Sequence, residues 1–199
     1  MRRKFYLLFF LLTAVLSLSV LAQKKRGRTR SRWTDTTGMA DIQIARNKFW
    51  DSLPDPLGLT SDFENIFSPE ERIRLDSIIT DYEKKTTIEF CIVTLDTMRI
   101  NRDRFGDLPA YIEKSWGIGK EKTENGIVIC LSIGYRSIRI GTGKGIDDYL
   151  SEKETTQIIQ KNILPDFMKG KYFDGTSKGL FAIIDILDKK MKGKSSASR

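Results

Sequence analysis

Two short apolar runs dominate the chain, residues 88–95 (Ile-Glu-Phe-Cys-Ile-Val-Thr-Leu) and 126–133 (Gly-Ile-Val-Ile-Cys-Leu-Ser-Ile). Both are rich in β-branched residues and lack the apolar/polar alternation of a half-exposed strand, so both suit strands covered on two faces. About thirty residues separate them, and the stretch 105–116 between carries Leu108, Tyr111 and Ile112 on one helical side. A right-handed parallel βαβ unit follows. After Gly134-Tyr135 a third run, 136–142, alternates Ile138 and Ile140 with Arg139, and so short a connection predicts an antiparallel hairpin strand.

Helix signals flank this sheet. Ser68-Pro69-Glu70-Glu71 is a capping box with proline in the first turn, and Ile73, Leu75, Ile78, Ile79 and Tyr82 follow at helical spacing to about Lys85. Ser151-Glu152-Lys153-Glu154 opens a second helix to about Asn162, where Pro165 breaks it. A last helix, from Phe173 or Asp174 to Lys190, turns Leu180, Ile183, Ile184 and Leu187 inward. The expected fold is α/β, a three-layer α/β/α sandwich over a small mixed sheet, occupying residues 59–188.

The ends have a different composition. Arg2, Arg3 and Lys4 precede an apolar run through Leu21, and Val20-Leu21-Ala22 suits signal peptidase, so residues 1–22 form an expected signal peptide with Gln23 as the mature start. No cysteine lies near that site, which excludes a lipoprotein anchor; an uncleaved anchor is the alternative. The expected location is the periplasm or the exterior. Residues 23–58 are expected as a basic, flexible linker, in which Ile42, Ile44, Phe49 and Trp50 could form a short docking helix, and 189–199 as a basic tail.

Of the 34 basic residues, fourteen lie in segments 2–4, 24–32 and 189–199, leaving 20 against 26 acidic residues, so the domain is acidic despite a chain charge of +8. That balance argues against a nucleic-acid groove. No membrane span is expected after signal cleavage, and a monomer is the default. There is no histidine, which removes Ser-His and Cys-His nucleophile pairs and histidine zinc sites. Cys91 and Cys130 sit inside the apolar runs, where buried thiols are the default and a disulfide the alternative.

Ligands of open α/β sheets collect where loops diverge at strand ends. The loops here offer Asp62, Asp96, Glu124, Asn125, Asp147 and Asp148, hard oxygen donors suited to Ca²⁺ or Mg²⁺. Asp62 and Asp147 equally suit helix caps or solvated loop positions. Gly141, Gly143 and Gly145 break the phosphate-loop pattern, so a tight turn explains them, although Gly143 and Gly145 could cradle an anion through backbone N–H groups. No residue is assigned a catalytic role.

Four spaced motifs resemble the TPM-domain family, which includes exported bacterial and thylakoid-lumen proteins. They are Ser115-Trp116-Gly117-Ile118-Gly119, Glu124-Asn125-Gly126-Ile127-Val128, the run from Arg136 to Asp147, and Ile163-Leu164-Pro165-Asp166-Phe167 with Gly170, Tyr172 and Gly175. The resemblance implies an α/β/α sandwich, divalent-metal binding and an acid phosphatase activity. It matches the family's early Asp to Asp62, its Asp-Asn-Gly to Glu124-Asn125-Gly126, and its Gly-x-Gly-Leu-Glu to Gly143-Lys144-Gly145-Ile146-Asp147. Where an acid often precedes the hairpin arginine, this chain has Tyr135. Two functions follow as expectations. One is a metal-dependent phosphatase of phosphate esters, with Asp62, Asn125 and Asp147 holding the ion and Arg136 or Arg139 as the candidate phosphate-binding cation. The other is a non-enzymatic metal-stabilised module assisting folding, assembly or repair of envelope proteins, its partners.

Overall fold

The computed structural model describes residues 34–120 and 122–197. The expected signal peptide and the basic run 24–32 lie outside them. Residues 1–44 and 45–199 form two compact units. Of the first, the described part is the beginning of helix α1 (Thr34–Asp51), and the second holds everything below.

The sheet has four strands in the order β1 (Thr60–Asp62), β2 (Glu89–Thr94), β3 (Gly126–Ser132) and β4 (Ser137–Thr142). The first three run parallel and β4 returns antiparallel to β3, with Val128 opposite Gly141 and Cys130 opposite Arg139. The parallel unit and the hairpin are as the two apolar runs imply. Strand β1 was not, because its Thr60, Ser61 and Asp62 are polar yet buried.

Alternation along β2 and β3 sends side chains into two cores. Phe90, Ile92, Ile127, Ile129 and Leu131 pack with Leu75 and Ile79 of α2 (Pro69–Thr86) and with Leu180, Ile183 and Leu187 of α7 (Tyr172–Ala197). Cys91, Val93, Val128 and Cys130 pack with Leu108 and Ile112 of α3 (Leu108–Trp116). Both thiols are free, and burial pushes that of Cys91 up to about 12.

Both capping boxes are formed: Ser68 Oγ accepts from Glu71 N at 3.2 Å and Ser151 Oγ from Glu154 N at 3.4 Å. After α4 (Lys144–Asp147), the helix that Ser151 opens is α5 (Glu152–Ile158), which widens into a π turn over Ile159–Ile163 and restarts as α6 (Leu164–Phe167). The break expected at Pro165 is thus corrected: the chain stays helical from Glu152 to Phe167, with the π turn, closed by Leu164 N–H on Ile159 O, lying just ahead of the proline.

The expected linker and tail are corrected in part. From Ala45 onward the linker belongs to the second unit: Phe49 is buried, Tyr111 donates its hydroxyl to the Trp50 carbonyl at 2.7 Å, and Trp116 donates to Pro54 O at 3.0 Å. Helix α7 continues through the expected tail to Ala197, helped by Met191 against the core and by Lys190 on Glu154 at 2.8 Å. Among the described residues, no helix is long and apolar enough to cross a membrane.

Candidate functional site

The six expected oxygen donors fall at two opposite edges of the sheet, because β4 runs against the others. Asp62 and Asp96 follow the carboxyl ends of β1 and β2, whereas Glu124 and Asn125 precede β3, and Asp147 and Asp148 follow β4 at the amino edge. The seven residues of β3 set the two groups roughly 20 Å apart. One converged site holding all six is thereby corrected.

At the carboxyl edge the acids are occupied. Asp62, 1% exposed, accepts from Thr94 Oγ1 at 2.6 Å, Phe67 N at 2.9 Å and Ile66 N at 3.1 Å. It ties β1 to β2 and turns the chain toward α2. Asp96 accepts from Met98 N at 2.8 Å and Arg99 N at 3.1 Å and is ion-paired with the Arg99 guanidinium. Glu64, which the sequence did not single out, receives Ile133 N on its carboxylate at 3.0 Å. Burial holds its pKa above the usual carboxylate range, aided by the charges of Asp96 and Asp62.

At the amino edge, two loops interlock through glycines. A Cβ on Gly143 would lie 2.1 Å from Glu124 O and 2.5 Å from Glu113 Oε1, and one on Gly145 would lie 1.9 Å from Thr123 O. Only glycine allows that approach. The N–H of Gly143 donates to Gly126 O at 2.9 Å and that of Gly145 to Glu124 O at 3.1 Å. Both donors are therefore spent and these positions face oxygens, so the tight turn accounts for Gly143 and Gly145 and the alternative of an anion cradle lacks free N–H groups there.

Asn125 is corrected too. Its Oδ1 accepts from Lys120 N at 2.9 Å and Thr123 Oγ1 at 2.8 Å, and its Nδ2 donates to the Thr87 carbonyl. Those bonds use the amide to pin the loop, leaving Glu124 and Asp147 as outward carboxylates. Glu124 has Lys144 Nζ at 3.8 Å in an exposed pair, and Asp147 accepts from Thr142 Oγ1 at 2.8 Å. Asp148 is exposed on the following turn.

A third carboxylate joins them from helix α3. Glu113 is half-buried, and its pKa is raised by burial first and then by the negative charges of Glu124 and Asp147. Three acids from three separate segments thus act on one another at this edge. Among the described residues, however, no three acidic or thiol side chains are gathered closely enough to hold an ion unaided. Glu113 was missed because a helix acid beside Ile112 is ordinarily a solvated position.

The two guanidinium candidates part company: Arg139 lines one groove with Asp147, and Arg136 lines another cavity at the opposite edge. Arg136, at the β3–β4 turn with φ 50°, lines an open cavity of about 640 Å³ at the carboxyl edge. Arg139 lies midway along β4 and donates to Ile138 O at 3.2 Å.

Comparisons with known proteins agree with this architecture. The solution structure of the N-terminal domain of a P. gingivalis protein is 28% identical, with a TM-score of 0.62, covering 70% of this chain and 88% of that one. The NMR structure of BA42 from the psychrophilic bacterium Bizionia argentinensis shares the fold at 23% identity and a TM-score of 0.53, covering 64% of this chain and 85% of that one. No curated protein matches the chain. The family model described as the TPM domain matches residues 60–186, which is the whole sheet with its covering helices, and the chain belongs to the TPM-domain family.

Proposed function

We propose that this domain is an exported, non-hydrolytic module that binds a divalent cation, Ca²⁺ or Mg²⁺, at the amino edge of its sheet through Glu113, Glu124 and Asp147. The observation that carries the reading is the meeting of three segments at one point, where a Cβ on Gly143 would lie 2.1 Å from Glu124 O and 2.5 Å from Glu113 Oε1; burial first, and then the charges of Glu124 and Asp147, oppose the ionisation of Glu113 there. A cation would relieve that repulsion, and carboxylates with backbone carbonyls are the donors that hard cations accept. With three carboxylates loosely arranged, water and carbonyl oxygens such as Thr123 O would complete the shell. The affinity expected of so open a site is that of extracellular calcium modules, a Kd of about 10⁻⁴–10⁻³ M.

The hydrolase alternative needs the metal and a phosphate-binding cation around one point. Arg136 lies at the other end of β4 from Asp147, roughly 20 Å along the six-residue strand, and the glycine N–H groups are engaged. Arg139 does line one groove with Asp147, but its guanidinium is turned onto the Ile138 carbonyl at 3.2 Å. Export rests on the charged start and apolar run before Ala22; the mature product should begin at Gln23.

Thermal unfolding in Ca²⁺ and in chelator tests the cation reading, since an ion bound only by the folded state raises Tm by mass action. A rise of several degrees in millimolar-order Ca²⁺ is expected. Identical melts would remove the reading.

A further inference from the structure

Strand β4 is an outer strand of the sheet. Gly143 N donates to Gly126 O, one step beyond the register that sets Gly141 against Val128 and Arg139 against Cys130. Bonded pairs alternate along an antiparallel ladder. Ser137, Arg139 and Gly141 therefore bond toward β3, and the N–H and C=O groups of Ile138, Ile140 and Thr142 turn to the open side. The Ile138 carbonyl there is covered by the Arg139 guanidinium at 3.2 Å. Among the described residues, no side chain covers the Ile140 backbone in that way.

A groove of about 500 Å³ runs along this edge. Pro109 and Ala110 at the start of α3 wall it on one face of the sheet, Leu150 and Thr155 on the other, and Asp147 and Glu152 stand at one end. Gly141 draws the first wall in, since a Cβ there would lie 2.4 Å from Pro109 Cβ. Helical layers thus extend past the last strand on both faces, framing a slot where a further strand would sit about 4.8 Å from β4. An edge left open in this way is a template for strand addition.

We propose that this slot binds an extended polypeptide segment as a fifth strand, pairing with the outward backbone of Ile140 and Thr142. The side chains that fit alternate between the two walls and are small or β-branched, because Pro109 and Ala110 close in on one face and Leu150 and Thr155 on the other, with the Arg139 side chain also lining the groove. A lysine or arginine belongs at the end beside Asp147 and Glu152; the Glu152 carboxylate is exposed and has no partner among the described residues. The strand pairing does not rest on the cation reading, although the two share Asp147, and the test in chelator with a variant at Glu152 keeps them apart.

The test is fluorescence anisotropy of a labelled synthetic peptide of alternating valine and threonine ending in two lysines, titrated with the domain in chelator. A second peptide, N-methylated at alternate residues, lacks the backbone donors. Ile140→Pro removes an outward N–H that the fold does not use, and Glu152→Lys reverses the charge at one end. Binding of the first peptide by the parent is expected, weakened about tenfold by Ile140→Pro, as loss of one or two backbone hydrogen bonds implies. Glu152→Lys should weaken it in a salt-dependent way, and the N-methylated peptide should bind at least as poorly as the proline variant does. The N-methylated peptide keeps the test decisive should Ile140→Pro fail to fold. Absence of binding, equal binding of the two peptides, or dimerisation of the parent that Ile140→Pro abolishes would overturn the proposal, the last in favour of a second copy of the chain.

Discussion

Glu113 on helix α3 and Asp147 after strand β4 lie in segments far apart in sequence, yet they meet at one edge of the sheet, where burial first and then the charges of Glu124 and Asp147 raise the pKa of Glu113. The hairpin produces that relationship. By returning antiparallel to β3, β4 carries its following turn back to the edge where the loop before β3 begins, and α3 packs over the same place.

Cation binding should weaken as pH falls from neutrality toward 4.5, the ordinary glutamate value, because the raised pKa of Glu113 lets a proton compete sooner than at an isolated carboxylate. The same shift fixes the sign for the ion-free domain. A group whose folded pKa is raised contributes stability present below its unfolded pKa and lost as pH rises through the folded one. Glu113→Gln should therefore stabilise the ion-free domain at neutral pH relative to the parent, as read by urea unfolding in chelator.

Gly143→Ala and Gly145→Ala should each destabilise the domain by roughly 1–3 kcal/mol, the usual cost of forcing atoms into a packed place. A Cβ at either position would meet backbone oxygen, which cannot swing aside. Gly106→Ala meets open space and serves as the control in the same denaturant series.

Ser68→Ala and Ser151→Ala should each cost about 1 kcal/mol. Both hydroxyls accept the N3 backbone N–H while the N3 glutamate returns to the cap. Chemical unfolding of the two single variants measures the loss.

Cys91 and Cys130 should resist a thiol reagent such as Ellman's in the native protein and react fully in denaturant. Burial holds both thiols protonated, and the thiolate is the reactive form. Fast labelling of the folded chain would mean that the sheet opens readily.

The elements that carry their own local chemistry were legible in the sequence: the two apolar strands, the hairpin, and the helices opened by Ser68 and Ser151. Strand β1 was not, since Thr60, Ser61 and Asp62 earn burial by hydrogen bonds and pairing with β2 and show no apolar run. The docking of Phe49 and Trp50 was hinted at by two adjacent aromatics, but nothing local says what they meet. The candidate site was half legible. Glu124 and Asp147 were found by residue type. Asp62 and Asp96 were grouped with them because residue type does not reveal which edge a loop occupies, and strand direction decides that. Asn125 looked like a ligand, although its loop consumes its amide.

Calorimetric titration of Ca²⁺ into the parent, Glu113→Gln, Asp147→Asn and Asp62→Asn tests the central claim most directly, with circular dichroism to show that each variant is folded. The parent should bind, the Glu113 and Asp147 variants should lose most of that affinity, and Asp62→Asn, altered at the opposite edge of the sheet, should bind like the parent even where it melts earlier. Loss of binding in Asp62→Asn alone, or equal binding by all four proteins, would contradict a cation site at the amino edge.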